Sequence, residues 1–261
     1  MSAHGRPLII GHSHAGALFD AAASARLDTD NFSFWLARDA YRLVGEDVIL
    51  GDDLGARVDQ ATHVLSAIGG GSCRVVALMN MNRAFDFVDP HARHAALDRS
   101  AERVPFAAVR AAVARQEALP MALLRAIAKR AKGPVVHLTP PRPTPRWEGP
   151  AALELSKKTA ALLGIAHTPE LDAPHLHTST RKVWEVMLRV HREVCHELAI
   201  DCVAQPPETE DDDGCLREDF AQDPMHGNAR YGRAVLASLG MLAGGPLAVP
   251  RPSRSSPGPA I

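Results

Sequence analysis

The feature that most restricts the fold of this chain is a repeated change of hydrophobic period, from short apolar runs to longer stretches patterned like helices. Residues 7–11, PLIIG, are an apolar run of strand length closed by glycine, and AGALFDAAASARL (15–27) then places apolar residues at helical spacing. A continuous apolar run suits a parallel strand covered on both faces, whereas spacing of three and four suits one face of a helix. The change recurs. NFSFWL (31–36), THVLSAI (62–68), PVVHLT (134–139) and IDCVA (200–204) read as further strands, and RVVALM (74–79) as another strand or part of an elaborated loop. Helical patterns cover 106–131, 151–164, 180–199 and 227–242, and Pro120 predicts a kink or a break in the first of these. Residues 37–47 read as a short helix or loop, and PPETEDDDG (206–214) as a solvated acidic loop. Strands alternating with helices predict a parallel sheet covered on both faces. Such sheets bind ligands beyond the carboxyl ends of their strands. That rule selects Gly11–His14, Gly69–Ser72, the PPRP turn at 140–143 and the segment after Ala204.

Composition narrows the partners. A chain of 261 residues with 46% hydrophobic and 23% charged residues suits one α/β domain. Its formal net charge is −1 and only 5% of its residues are aromatic, so it offers neither a basic field nor stacking platforms for nucleic acid. The start, MSAHGRPLIIGHSH, lacks the basic head and long apolar stretch of a secretory signal, and no window reaches membrane-spanning length. The four cysteines form no CxxC pair and read as reduced thiols. A cytoplasmic location with no membrane partner is the expectation.

Two short segments could carry chemistry. In Gly11-His12-Ser13-His14, the serine sits where the first strand turns into a helix. Free N–H groups and the helix dipole favour a developing negative charge there, although serine at such a place also serves as a simple cap. Serine is a weak nucleophile until a positioned base takes its proton. Asp223-Pro224-Met225-His226, before the closing helix, supplies a histidine and a carboxylate three residues apart, the pairing of a general base with its orienting group. By itself it equally suits a surface turn in which Asp223 caps the helix.

Taken together, the two segments resemble the SGNH hydrolases, also called the GDSL family. GHSHAGAL stands where the family has GDS, so His12 replaces its aspartate. DPMHGNARYGRAVL is similar to the family's D-x-x-H-x-N-x-x-G-Y pattern, with Tyr231-Gly232 in reversed order, and PVVHLTPPRP is similar to its penultimate strand and proline-rich exit. The resemblance spans about residues 7–240. It implies a flavodoxin-like α/β/α sandwich with a central parallel sheet of about five strands, in one domain over residues 1–242 followed by a disordered tail over 243–261. It further implies Ser13 as nucleophile, His226 as base and Asp223 as the carboxylate that orients the ring. No cofactor is expected, and the expected substrate is a small ester or an acylated sugar. The departure lies in THVLSAIGGGS, where Gly71 occupies the place of the family's oxyanion-hole asparagine. Losing such a donor typically costs about 10²–10³ in rate. Backbone N–H groups of Ser13, Gly70 or Gly71, or the side chains of Asn80 or Asn82, are the compensating candidates. Gly45 and Gly51 are both candidates for the family's other oxyanion glycine.

Two alternatives stay open in the sequence. His12 and His14 form an H-x-H pair that could hold a metal in a metal-dependent hydrolase, although the further ligands such enzymes need are missing. The glycine at position 71 also suits a binding protein of SGNH fold that has lost turnover. His167, His175 and His177 read as part of a solvated connector, Trp35 and Trp184 as core, and Trp147 as either pocket entrance or surface.

Overall fold

The computed structural model describes residues 6–27, 32–34, 40–45, 47–73, 76, 85–92, 97–145, 157, 161 and 174–243. In chain order these hold β1 (Pro7–Gly11), α1 (Ser13–Ser24), β2 (Phe32–Phe34), β3 (Tyr41–Val44), β4 (Asp47–Leu50), α2 (Asp52–Gln60) and β5 (His63–Ala67). The rest are β6 (Phe85–Asp86), β7 (Glu102–Arg103), α3 (Phe106–Arg130), β8 (Val135–Leu138), α4 (Pro174–Glu197), β9 (Asp201–Val203) and α5 (Ala229–Ser238). Five strands form the central sheet in the order β2-β1-β5-β8-β9, and every pairing in it is parallel. This is the doubly wound order expected of a flavodoxin-like sandwich. All five strands coincide with apolar runs read from the sequence.

The period of two decides which layer each strand residue joins. Ile9, Leu65 and Val136 point to one face and pack with Leu18, Ala21 and Ala22 of α1 and Val235 and Leu236 of α5. Their neighbours Leu8, Ile10, Val64 and Val135 point to the other face, against Leu54 and Val58 of α2, Leu124 and Ile127 of α3 and Val194 of α4. The result is three layers. A further cluster, with Phe87, Val109, Val113, Trp184 and Met187, extends the second helical layer under the segment between β6 and β7. That segment is tied to α4 by a buried ion pair in which Lys182 Nζ donates to both oxygens of Asp86, at 2.6 and 2.7 Å.

Four readings of the sequence change. Residues 41–50 form an antiparallel hairpin, β3 with β4, rather than a helix or loop. Ser72, Cys73 and Val76 are helical, so the stretch read as a possible strand at 74–79 is not one where it is described. Helix α3 runs through Pro120 without a break. Proline lacks the N–H that would bond the Gln116 carbonyl, but buried contacts on both sides, from Val113 to Ile127, hold the helix together. Helix α4 begins at Pro174, so His175 and His177 belong to its first turns and not to a connector. Of the helix read at 151–164, Lys157 and Ala161 are described and helical. Trp35, Asn80, Asn82, Trp147, His167 and the tail from 244 onward lie outside the described residues. Among the described residues no helix is long and apolar enough to cross a membrane.

Candidate active site

Ser13 opens α1 directly after β1, on the carboxyl edge of the sheet, and its side chain is exposed. Its N–H belongs to the first turn of the helix, where amide donors have no partner within the helix. The residue before it fixes the local chemistry. Gly69 N–H donates to His12 Nε2 at 3.2 Å, which makes Nε2 an acceptor and leaves the ring proton on Nδ1. That Nδ1 lies 3.2 Å from Ser13 Oγ and therefore donates to it. His12 is thus a neutral ring serving as a hydrogen-bond donor to the serine. Burial pulls its pKa down to about 4, with the Glu117 carboxylate opposing the shift and His226 adding to it.

The second half of the site arrives from the turn before α5. Asp223 Oδ1 accepts the backbone N–H groups of Met225 (2.8 Å) and His226 (2.9 Å), so the carboxylate itself shapes the turn. The His226 Nδ1–H donates to the same carboxylate, 2.7 Å from Oδ2 and 2.9 Å from Oδ1. This fixes the tautomer and leaves Nε2 as a lone-pair base. Burial would raise the Asp223 pKa, but the hydrogen bond and charge of His226 and the two backbone donors outweigh it and hold the group below its usual value. Asn228 anchors the turn to α5, accepting from the N–H groups of Arg230 (2.9 Å) and Tyr231 (3.1 Å) as an N-cap.

The two halves meet. The His14 ring lies 5.5 Å from the His12 ring and 5.0 Å from the His226 ring, centroid to centroid, so three imidazoles line one edge of the sheet. No hydrogen bond joins Ser13 Oγ to His226; the serine is engaged by His12 instead. His14 is buried, and its Nδ1 has no hydrogen-bond partner among the described residues. Burial, with the charges of the neighbouring imidazoles, lowers its pKa well below the ordinary value. A small apolar cavity bordered by His14, Leu18, Leu138, Pro140 and Tyr231 adjoins that ring.

The glycine turn after β5 supplies backbone donors, but not all of those expected. Gly70 N–H donates to Glu117 Oε1 at 3.3 Å, so it is already engaged and is withdrawn as an oxyanion donor. Ser72 N–H donates to the same oxygen at 3.2 Å, and Gly69 N–H to His12. Gly71 is exposed, and its N–H has no acceptor among the described residues. Ser13 and Gly71 therefore remain as the open backbone donors. Gly45 lies at the exposed tip of the β3–β4 hairpin, and Gly51 N–H is donated to Ala40 O at 2.9 Å, so neither presents itself as the second oxyanion glycine.

No protein-family model matches the sequence, and a search of curated proteins finds no match. Solved structures do align with it along most of its length. A phospholipase A1 from Streptomyces albidoflavus is 13% identical with a TM-score of 0.44, over 90% of this chain and 98% of that one. A GDSL-like lipase from Bacteroides thetaiotaomicron is 11% identical with a TM-score of 0.40, over 94% and 91%. An acetylxylan esterase from Geobacillus stearothermophilus is 12% identical with a TM-score of 0.36, over 93% and 95%.

The sequence reading missed a buried polar line beneath the glycine turn. His191 Nε2 contacts Glu117 Oε2 at 3.0 Å, His191 Nδ1 contacts His137 Nε2 at 2.9 Å, and His137 Nδ1 contacts Ser66 Oγ at 3.2 Å. All four side chains are at most 1% exposed. A signal was present. Val109, Val113, Glu117 and Met121 follow one another at spacing four on α3, and all four are buried, so Glu117 is a charge on the apolar row. His191 stands likewise among Trp184, Met187, Leu188 and Cys195 on α4.

Proposed function

We propose that this chain is a serine hydrolase of the SGNH type, acting on an ester or on an acylated small molecule or sugar, with one hydrolase domain over residues 1–242. The observation that carries the reading is the Asp223–His226 pair, held in the tautomer of a base and set in the same row of rings as the Ser13 turn. In the proposed reaction, substrate binding brings Ser13 Oγ and His226 Nε2 into contact; such bonds are often long in an unliganded site. As Oγ attacks the acyl carbon, its proton passes to His226 Nε2 and the carbonyl electrons move onto oxygen. That oxygen is met by the N–H groups of Ser13 and Gly71. The imidazolium, stabilised by Asp223, then protonates the departing alkoxide. A water, or an acceptor hydroxyl, then gives its proton to His226 Nε2 as its oxygen bonds the acyl carbon. As the Oγ–acyl bond breaks, the same proton passes from His226 back to Ser13 Oγ.

His12 supports this assignment. By donating to Ser13 Oγ it occupies a lone pair of the serine and leaves the hydroxyl proton for the base. The same geometry counts against a metal held by His12 and His14, because both His12 nitrogens are already engaged.

A fluorophosphonate probe is expected to label the protein at Ser13, read by peptide mass mapping, with labelling lost in Ser13→Ala. Folded protein that takes no label at Ser13 would overturn the proposal, and ester hydrolysis abolished by a chelator without labelling would favour the metal reading instead. Position 71 gives a second test in the opposite direction. A Cβ at Gly71 would meet no atom within 4 Å, and its φ is outside the left-handed region, so a side chain fits there. Gly71→Asn is expected to raise kcat by about tenfold or more, since one oxyanion donor is typically worth about 10²–10³. An unchanged kcat in the folded variant would show that position 71 does not face the reacting carbonyl.

A further inference from the structure

We propose that Glu117 is a positioning residue of this site, seating the Gly69–Ser72 turn so that the Gly71 N–H stays open toward the reacting carbonyl. The inference rests on the reading of Ser13 as the nucleophile. A carboxylate that is 1% exposed on the apolar row of a helix is costly unless its oxygens are fully satisfied. Here they are. One oxygen takes the N–H groups of Gly70 and Ser72, which flank Gly71 on either side, and the other takes His191. Both backbone bonds are to a charged acceptor and so are stronger than neutral ones. The pKa of Glu117 is held down accordingly: burial pushes it up, and His191 and Ser72 push it back below the ordinary value.

Two of the three consecutive glycines, Gly69 and Gly70, are explained by this seat. Gly69 and Gly70 have φ of +90° and +103°, in the range where side chains are strained. A Cβ on Gly69 would lie 2.6 Å from Glu117 Oε2 and 2.7 Å from His191 Cε1, and one on Gly70 would lie 2.6 Å from His14 Nε2. The turn is therefore pressed against the carboxylate below and the imidazole beside it. From Glu117 the contacts continue through His191 and His137 to Ser66, so β5, β8, α3 and α4 all brace one loop. Donors fixed before the reaction need no reorganisation during it, which is the condition for strong oxyanion stabilisation. The hydrogen bonds of Glu117 run to Gly70, Ser72 and His191 and not to Ser13 or His226, so its effect passes through the turn.

The deciding variant is Glu117→Gln, which keeps the volume. Its amide oxygen can still face Gly70 and Ser72, and its NH₂ can face His191 if the ring protons along His191 and His137 move one step toward Ser66. The fold is thereby kept while the backbone bonds become neutral. On p-nitrophenyl acetate, E117Q is expected to lose about tenfold in kcat with KM within about twofold, the signature of lost transition-state stabilisation. Amide hydrogen exchange, followed by NMR, is expected to accelerate at Gly70 and Ser72 with the remaining core protected as in the parent. An unchanged kcat in folded E117Q, a loss confined to KM, or unchanged exchange at Gly70 and Ser72 would each overturn the proposal. Equal turnover by the parent and by S13A would instead sink the assignment of Ser13 and with it any hydrolytic role for the turn, whatever the exchange shows.

Discussion

Replacing His226 with alanine is expected to lower kcat/KM for an ester substrate by on the order of 10⁴-fold, and Ser13→Ala by a comparable factor. The size follows from the proposed roles. Without His226 no base is poised for the serine proton, because His12 already holds its own proton toward Ser13 Oγ and gives its other nitrogen to Gly69. His14 cannot take over readily, since it is buried and its pKa is lowered by that burial. Nucleophile and base act as one unit, so the double variant is expected to be no slower than either single one. The measurement is steady-state hydrolysis of p-nitrophenyl acetate beside thermal melts that establish folding. A folded His226→Ala retaining more than about a tenth of parental kcat/KM would remove His226 from the reaction.

Gly232→Ala is expected to damage stability rather than chemistry, and severely. A Cβ built on Gly232 would overlap the carbonyl group of Ala17, which is backbone and cannot rotate away. Helices α1 and α5 touch closely there, and both are anchored by Leu18, Val235 and Leu236 in the same core cluster. Overpacking typically costs about 1–3 kcal/mol, and a clash against backbone belongs at the upper end, about 3 kcal/mol. For a chain of this size that corresponds to a fall in Tm of roughly 6–12 °C. Differential scanning calorimetry reads it directly, and a melting temperature within about a degree of the parent would mean that the two helices separate freely. The reversed order Tyr231-Gly232, a departure from the SGNH pattern that the segment resembles, has a physical reason here. Tyr231 is buried against the α1 side of the sheet, and Gly232, one residue on, is the point of helix contact.

The middle of the sheet was legible because β1, β5 and β8 are buried along almost their whole length and read as apolar runs. The hairpin β3–β4 was not, because Leu43, Val44 and Ile49 are exposed and carry no alternation that separates inside from outside. At Pro120, of the kink or break that the residue signals, the break does not occur. A proline signals the loss of one backbone hydrogen bond, whereas the packing that outvotes it, through Val113, Met121, Leu124 and Ile127, belongs to the tertiary structure. In the candidate site, Asp223 and His226 were readable because they are three residues apart, and their bond is local. The line from Glu117 to Ser66 was out of reach: its contacts join residues 74, 54 and 71 positions apart, and no spacing rule connects them. What the sequence offered was a charge and an imidazole on apolar helix rows, which says that partners exist without saying which.

Under the proposed assignment, the wide sequence separation of Ser13 and His226 has a consequence for when reactivity is born. Roughly two hundred residues must be ordered before base and nucleophile become neighbours, and contacts so distant in sequence form late in folding. A growing or clipped polypeptide holding only the serine half therefore carries an inert hydroxyl. On the proposed assignment, the hydroxyl becomes an attacking oxygen only once the turn before α5 has docked beside it.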